Sequence, residues 1–240
     1  MAAKTIAPGV YGISLGIVNV FLIDAGDLTL IDTGMPGAVG RILAAVRALG
    51  RQPTDIRHIL LTHLHADHTG SLKALKEATG AAAYMHPADA ALTRRGEVMR
   101  PARPGPGIVR WLLVRLSSLR VVPAHIEATP VERDLQDGQV LPFAGDLRVI
   151  HTPGHTQGHA AFLWPHEGGV LFAGDMASNM GRLGPSILYE DYATALRSLA
   201  RVSSLNFKVA CFSHGPAITG NARERFRQMW GQPSDPARYG

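Results

Sequence analysis

The sequence predicts an α/β (α+β) protein in a single domain that covers residues 1–240. Short apolar runs of strand length alternate with stretches whose apolar residues recur at helical spacing. An order of strands followed by helix occurs twice, before and after about residue 122. With 240 residues, 46% of them hydrophobic, the chain is long enough to bury a substantial core. These observations fit one domain of a larger α/β type, and two packed halves of one domain are equally natural.

The first half combines a β-meander with alternating helices and strands. Its three opening strands are separated by glycine-containing breaks, which is typical of hairpins and meanders. An apolar stripe then indicates a helix, and Gly50 ends it. The predicted elements are strands 10–15, 18–24 and 28–32, helix 37–49, strand 59–61, helix 69–79, strand 81–85 and helix 87–94.

The second half has more strands and two helices. Asp137-Gly138 lies between two short strand-like runs and is a hairpin signal, so strands 131–135 and 139–143 are expected to pair with each other. The other predicted elements are strands 147–151, 160–164 and 170–173, helix 192–202, strand 209–212 and helix 222–230.

A segment at about 94–129 interrupts this alternation. Proline and glycine residues in 100–106 break the pattern, and 107–120 is amphipathic, with Ile108, Leu112 and Leu116 on one face. Its position predicts a pocket-shaping insertion. Three interpretations of the amphipathic part remain open: a lid over the site, a homodimer contact, or a helix packed on the body.

Composition and charge exclude several classes of protein. No apolar run is long enough to cross a bilayer, and the first nine residues lack the apolar core of a secretory signal. Cys211 is the only cysteine, so no intrachain disulfide is possible. The formal net charge is +5, but no nucleic-acid motif accompanies it, so we expect a solvated basic face and no nucleic-acid partner. The expected location is cytoplasmic.

The most informative stretch is a cluster of histidines and aspartates where an apolar strand, 59–61, stops and a helix starts. Residues two apart in an extended segment point the same way, so His63 and His65 are expected to reach one metal ion together. Asp67 and His68 lie past the turn and point towards a second ion. Imidazole and carboxylate ligands suit Zn²⁺, Fe²⁺ or Mn²⁺.

Three later strands also end in candidate ligands: His155, Asp175 and His214. Strand ends are where a rigid sheet presents functional groups on loops. The chemistry suggests one ion on His63, His65 and His155, a second on Asp67, His68 and His214, and a bridging carboxylate from Asp175. Two ions about 3.5–4 Å apart can share a water and make it a hydroxide nucleophile near neutral pH.

The chain resembles the metallo-β-lactamase superfamily over nearly its whole length. The motifs that carry the resemblance are Ile31-Asp32-Thr33-Gly34, His63-Leu64-His65-Ala66-Asp67-His68, Thr152-Pro153-Gly154-His155-Thr156, Phe172-Ala173-Gly174-Asp175 and Ser213-His214-Gly215-Pro216. The resemblance implies a four-layer αββα sandwich with the metals at one edge. It also implies hydrolysis by a metal-bridging hydroxide, with Asp67 and Asp175 as catalytic residues and Asp32 orienting a ligand or a nearby loop.

The same resemblance implies two divalent ions, zinc first and iron or manganese as alternatives. It implies a small-molecule substrate with an ester, thioester or lactone carbonyl. Phosphodiesters, phosphotriesters and β-lactams are alternatives on the same site, and a non-catalytic metal-stabilised binding protein is the alternative of another class. Lactonases of the superfamily carry a tyrosine where this chain has Ser178, and glyoxalase-II-like thioesterases usually have a further helical region after the last ligand.

The remaining polar candidates receive structural assignments. His159 lies four residues after His155 but outside the ligand motifs, and His58 is expected at the surface. No residue is assigned to substrate binding; Asn179, Arg182 and Tyr189 are near enough to Asp175 in sequence to reach a substrate but are expected to be structural. The histidines without an assigned role are His86, His125, His151 and His166.

Overall fold

The computed structural model describes residues 3–106, 123 and 125–231. In chain order its strands are β1 (Lys4–Ala7), β2 (Val10–Ser14), β3 (Asn19–Ala25), β4 (Asp27–Ile31), β5 (Ile56–Leu60), β6 (Ala82–Met85), β7 (Arg103–Pro104), β8 (Arg133–Asp134), β9 (Val140–Leu141), β10 (Leu147–His151), β11 (Ala160–Trp164), β12 (Val170–Phe172), β13 (Ala177–Ser178), β14 (Gly184–Pro185), β15 (Leu188–Tyr189), β16 (Val209–Cys211) and β17 (Ile218–Thr219). The helices are α1 (Val39–Ala48), α2 (Ala66–Thr69), α3 (Leu72–Thr79), α4 (Pro87–Thr93), α5 (Tyr192–Ser203) and α6 (Ala222–Trp230).

These strands form two main sheets. The first has the order β1-β2-β3-β4-β5-β6-β8, antiparallel up to β4 and parallel from there on. The second has the order β17-β16-β12-β11-β10-β9, and only its β12–β16 pair is parallel. Two short pairs, β13–β14 and β7–β15, lie apart from both sheets. The predicted β-meander at the start of the chain is confirmed.

Alternate side chains of each central strand enter different layers, because successive residues of a strand point to opposite faces. Ile31 and Leu60 of the first sheet share a cluster with Phe162 and Phe172 of the second, which places this cluster between the sheets. Leu30 packs instead with the residues of α1 and α3. On the far side, Leu171, Ala161 and their neighbours pack with α5 and α6. The layers are therefore helices, sheet, sheet, helices, as the αββα prediction requires.

The predicted hairpin around Asp137-Gly138 is wrong. β8 joins the first sheet beside β6, whereas β9 pairs with β10 in the second sheet, so the chain crosses between sheets at this turn. The turn itself exists: Gly138 adopts φ +76, and the Asp137 carboxylate accepts a hydrogen bond from the His151 amide at 2.9 Å. A turn sequence determines only the local bend. Here the hydrogen bonds that β9 makes to β10 in the second sheet decide which strands pair.

The predicted helix 69–79 starts later than expected: α3 begins at Leu72, whereas Thr69 ends a separate short helix, α2, with Gly70 and Ser71 between the two. A Cβ at Gly70 would lie 2.4 Å from the Ala66 carbonyl oxygen and 2.4 Å from Cδ of Pro36, so a side chain has no room there. Asp67 and His68 thus lie on a short helix of their own. This part of the metal-ligand motif is therefore a separate short unit.

The amphipathic stretch 107–120 lies outside the described residues, so its lid, dimer and packing interpretations stay predictions. Its flanks are described. The amide of Ile126 donates to the Gly96 carbonyl at 2.9 Å, and Glu97 and His125 form an antiparallel bridge. No helix within 3–106 or 125–231 is long and apolar enough to cross a membrane.

Candidate metal centre

The site is built where five strands end, β4, β5, β10, β12 and β16, and Asp32 connects the first two of them. β4 ends at Ile31, and the amide of Asp32 donates to the Leu60 carbonyl at the end of β5 at 2.9 Å. The buried Asp32 carboxylate accepts from the Thr62 amide at 2.8 Å and from the Thr62 hydroxyl at 2.8 Å. It also lies 2.8 Å from Nδ1 of His68. Asp32 thus fixes both the loop after β5 and one histidine ring.

Three histidine nitrogens converge in the first group. Nε2 of His63 lies 3.0 Å from Nδ1 of His65 and 3.2 Å from Nε2 of His155, and those two nitrogens are 3.0 Å apart. Nδ1 of His155 donates to the Leu188 carbonyl at 2.7 Å, which leaves its Nε2 lone pair directed at the group. In a tetrahedral site with zinc–nitrogen bonds of about 2.0 Å, ligand nitrogens lie about 3.3 Å apart. The spacing therefore fits a shared metal ion.

A second group contains Asp67, His68 and His214. Oδ2 of Asp67 lies 3.5 Å from Nε2 of His68 and 3.4 Å from Nε2 of His214. Each histidine is oriented through its other nitrogen, because Nδ1 of His68 meets Asp32 and Nδ1 of His214 meets the Ile17 carbonyl at 2.7 Å. This use of the outer nitrogen fixes the tautomer of a ligand ring and leaves Nε2 facing the group.

Asp175 lies between the two groups. One of its carboxylate oxygens is 3.6 Å from Nε2 of His155 and 3.2 Å from Nε2 of His214, and the other is 3.6 Å from Nε2 of His68. Asp175 lies just past the end of β12, and the residue before it, Gly174, has φ +54. A carboxylate in this position reaches both groups at once.

Burial and neighbouring charges give the three-histidine group and the two carboxylates the protonation states that bind metal ions. Burial lowers the pKa of His65 to about 3 and lowers the pKa of His63 and His155 as well, so these rings are neutral. Burial acts to raise the pKa of Asp67 and Asp175, but the facing His68 and His214 outweigh it and hold both carboxyl groups ionised. Neutral imidazoles and ionised carboxylates are the forms that bind metals. Burial acts to lower the pKa of His68 and His214, but the facing carboxylates outweigh it and raise the pKa of both, so those two rings must lose a proton to bind an ion.

Unsatisfied buried atoms give a direct test of whether these residues fit a metal. Within the described part of the chain, Nε2 of His68 and Oδ1 of Asp175 are buried and have no hydrogen-bond partner. An orphaned buried polar atom costs about 1–3 kcal/mol, so native proteins rarely leave two in one cluster. Both atoms belong to the group His63, His68 and Asp175, whose potential ligand atoms lie within 4.8 Å of one another. The residues fit a divalent metal.

The structure brings all seven predicted ligand residues together in three overlapping groups, and it places Asp32 against them. His159 stands outside these groups but is not remote: its Nε2 accepts from the Asp175 amide at 3.0 Å, and its Nδ1 lies 2.7 Å from the Thr152 hydroxyl. His58, expected at the surface, is half-buried, because its ring stacks on Phe143 with centroids 3.7 Å apart.

Two of the three residues considered for substrate contact have internal partners. The Tyr189 hydroxyl donates to the Ser186 carbonyl at 2.5 Å, and Tyr189 is buried. The amide of Asn179 donates to the His214 carbonyl at 2.9 Å, and its side chain donates to the Pro216 carbonyl at 2.8 Å. Asn179 therefore supports the loop that carries His214. Arg182 is exposed.

Sequence reasoning missed Asp89, a fully buried acid on α4. Its carboxylate accepts from the amides of Leu64 and Gly158 and from the hydroxyl of Thr156. The available signal was weak: Asp89 is the only charged residue of α4, and it immediately precedes the buried Ala90. A solvated carboxylate near the start of a helix gives the same local pattern.

Two facing sheets flanked by helices, with histidines and carboxylates gathered at the ends of their strands, define the class of metal-binding αββα sandwich proteins. A sequence profile of the metallo-β-lactamase superfamily matches residues 13–214, and the chain belongs to that superfamily. The predicted family is thereby confirmed.

Similar proteins support this assignment at moderate identity. The chain is 29% identical over 237 residues to the protein named Probable metallo-hydrolase YflN of Bacillus subtilis (strain 168), covering 89% of this chain and 86% of YflN. It is 29% identical to a hydroxyacylglutathione hydrolase of Cereibacter sphaeroides (strain ATCC 17029 / ATH 2.4.9), covering 82% of this chain but 61% of that protein. The crystal structure of a metallo-β-lactamase family protein from Thermus thermophilus has a TM-score of 0.70 at 28% identity, over 93% of this chain and 79% of that one.

Proposed function

We propose that this protein is a metal-dependent hydrolase with a two-ion centre that cleaves an ester, thioester or lactone carbonyl substrate. The observation that carries the proposal is the convergence of three histidine nitrogens at 3.0–3.2 Å, next to a second group that the Asp175 carboxylate also reaches. Chains of this superfamily that carry hydrolase names, including the hydroxyacylglutathione hydrolase above, support the reaction class.

In this proposal His63, His65 and His155 would hold one ion and Asp67, His68 and His214 would hold the second, while Asp175, whose carboxylate reaches both groups, would contribute to both. The ions, zinc for preference and iron or manganese otherwise, would act as Lewis acids and lower the pKa of a shared water towards neutrality. The rings of His63, His65 and His155 contribute neutral nitrogens, and Asp32 and the Ile17 carbonyl orient the rings of His68 and His214.

The acidic side chains have the chemistry to manage the proton that the attacking water loses. The Asp67 side chain is 21% exposed, against 7% for Asp175 and 1% for Asp32, so Asp67 is the carboxylate most open to a bound substrate. We assign it the role of accepting and returning a proton during attack and leaving-group departure. Asp175 keeps its charge between the two groups and holds their spacing.

No serine nucleophile is needed in this scheme. Ser213 is buried, and its hydroxyl has no hydrogen-bond partner among the described residues, so no base is in place to activate it. Ser178 is half-buried in β13. The reaction therefore proceeds without an acyl-enzyme, by direct attack of water on the carbonyl carbon.

The test is a substrate screen with defined metal content. Metal-free protein is reloaded separately with Zn²⁺, Mn²⁺ and Fe²⁺ and assayed with chromogenic esters, thioesters, lactones, phosphodiesters and β-lactams. We expect hydrolysis of a carbonyl substrate, and its loss in His155→Ala. A protein that binds two ions and cleaves none of these substrates would support the alternative of a non-catalytic metal-stabilised binding protein. Preferential cleavage of phosphodiesters or β-lactams would replace the proposed carbonyl substrate with one of those classes.

A further inference from the structure

Asp89 connects two loops that lie far apart in the sequence. Its Oδ2 accepts from the Leu64 amide at 3.2 Å and from the Thr156 hydroxyl at 2.6 Å. Its Oδ1 accepts from the Gly158 amide at 2.9 Å. The carboxylate thus accepts three hydrogen bonds, all of them from donors outside its own helix, α4.

Those loops carry the three-histidine group. Leu64 stands between His63 and His65, and Thr156 directly follows His155. Because one carboxylate binds both loops, it sets the distance between the rings of His63 and His65 on the first loop and the ring of His155 on the second. No other carboxylate among the described residues bonds to both loops; Asp32 bonds to Thr62 and His68 instead.

The surroundings are built to keep a charged group in this buried position. The Arg100 guanidinium donates to Oδ1 of Asp89 at 2.7 Å and to Glu190 at 3.2 Å, which compensates the buried charge. Glu190 in turn accepts from the Gln157 amide at 2.7 Å, so the same loop is held from a second side. A Cβ at Gly158 would lie 2.6 Å from Cγ of Asp89, so only glycine permits this approach.

We propose that Asp89 is a positioning residue for one half of the metal centre, the group formed by His63, His65 and His155. It sets the spacing of these three ligands and leaves the group of Asp67, His68 and His214 unaffected. The proposal rests on the metal centre of the proposed function. It predicts that weakening the Asp89 bonds lowers metal affinity in one half only. A residue that merely stabilises the fold would affect both halves alike.

The experiment measures Zn²⁺ affinity in two backgrounds, each with one half disabled. His214→Ala damages the second group and leaves the three-histidine group, whereas His155→Ala does the reverse. Zn²⁺ dissociation constants are measured by competition with a chromophoric chelator, with and without Asp89→Asn. In the His214→Ala background, Asp89→Asn is expected to weaken Zn²⁺ binding by about 10–100-fold, as loss of a group that supports a ligand usually does. In the His155→Ala background the dissociation constant stays unchanged.

Asp137→Asn is the control for loss of a carboxylate that pairs with an arginine; the Asp137 side chain is 45% exposed, whereas Asp89 is buried. Like Asp89, Asp137 accepts from a backbone amide and pairs with an arginine, Arg201, at 2.8 Å, but it bonds to neither ligand loop. It should leave Zn²⁺ affinity unchanged in both backgrounds. Where Asp89→Asn fails to fold, as judged by far-UV circular dichroism of the metal-free protein, Thr156→Val removes a single Asp89 bond. It should give a smaller loss confined to the same background.

Equal losses in both backgrounds, or no loss in either, would overturn the role of Asp89 while leaving the metal centre and the hydrolase proposal intact. A wild-type chain that binds no Zn²⁺ at all would overturn the proposed function together with this inference. Loss of affinity with Asp137→Asn as large as with Asp89→Asn would show a general effect of charge removal, and the positioning role would again fail.

Discussion

At the scale of single residues, local spacing indicated the candidate ligands but not the residues that support them. His63 to His68 are recognisable because four metal-binding side chains fall within six residues, and His155, Asp175 and His214 because each follows an apolar run. Asp89 and His159 act through bonds that span 25 to 69 positions and 16 positions respectively. Such contacts exist only after the loops have been brought together, so no local pattern reveals them.

His159 provides a residue-scale prediction. His159→Ala should leave metal content intact, because the ring faces the Asp175 amide rather than the three candidate groups. It should lower the free energy of unfolding by about 1–3 kcal/mol, since that buried amide loses its acceptor. His155→Ala, in contrast, should lower metal content and abolish most activity. Elemental analysis and urea unfolding of both variants decide the matter, and the opposite pattern of metal loss would show that the ligand register from 152 to 159 is wrong.

Asp175 provides a second prediction at this scale. Asp175→Asn keeps the size of the side chain but removes the charge that reaches both groups, so turnover should fall on the order of a hundredfold or more, with weaker retention of at least one ion. Ser178→Ala and Ser213→Ala are the controls and should cost little. The measurement is turnover and bound metal on the substrate that the screen finds. Near-normal activity of Asp175→Asn, or a trapped acyl-serine, would contradict the mechanism.

At the scale of elements, the sequence predicted the existence of most strands and helices better than their partners. The apolar stripe of α1 and the strand run of β11 depend on nearest neighbours in the chain, and both appear as expected. Pairing depends on which surface buries the strand, which is why the turn at Asp137-Gly138 misled the assignment of β8 and β9. The predicted helix 69–79 starts only at Leu72, and Gly70, two residues before it, lies close against Pro36, which is distant in sequence.

The start of α5 provides an element-scale prediction. Asp191 caps this helix, and its side chain accepts from the Thr194 amide at 3.0 Å. Asp191→Ala should therefore cost about 1 kcal/mol in free energy of unfolding at pH 7. The Thr194 hydroxyl and amide hold the pKa of Asp191 below its ordinary value, so the charge-dependent part is present above the unfolded pKa of about 3.9 and lost as pH falls through the folded pKa.

The measurement is urea unfolding of both proteins at pH 7 and near pH 3. The difference between wild type and Asp191→Ala should shrink at the lower pH. Asp191→Asn retains a capping side chain without the charge, so its difference from wild type at pH 7 should be smaller than that of Asp191→Ala. A gap that widens on acidification would contradict the assignment.

At the scale of the whole molecule, the layer order followed from the family resemblance rather than from any local pattern. Strand periodicity shows that a residue is buried, but it does not show which of two apolar faces it enters. Leu30 and Ile31 are adjacent, equally apolar and equally buried, yet they belong to different clusters on opposite sides of the first sheet. Only the completed sandwich separates them.

Metal removal provides the prediction for the whole molecule. Protein reloaded with Zn²⁺ should contain about two ions per chain, and chelation should lower the melting temperature, because ions that bind only the folded state stabilise it. The buried, unpartnered atoms of His68 and Asp175 make the metal-free form costly to maintain. Elemental analysis and thermal unfolding before and after chelation give the result. A firm ceiling of one ion under every loading would rule out the two-ion centre.

The turn at Asp137-Gly138, where the chain crosses between the sheets, divides the chain into one piece for each main sheet. Every strand of the first main sheet precedes it and every strand of the second follows it, with four of the seven candidate ligands on the first piece and three on the second. The protein is therefore suited to two-fragment complementation. Coexpressed pieces 1–136 and 137–240 should reassemble through the cluster between the sheets, and added zinc should tighten their association, because the centre is complete only when both are joined.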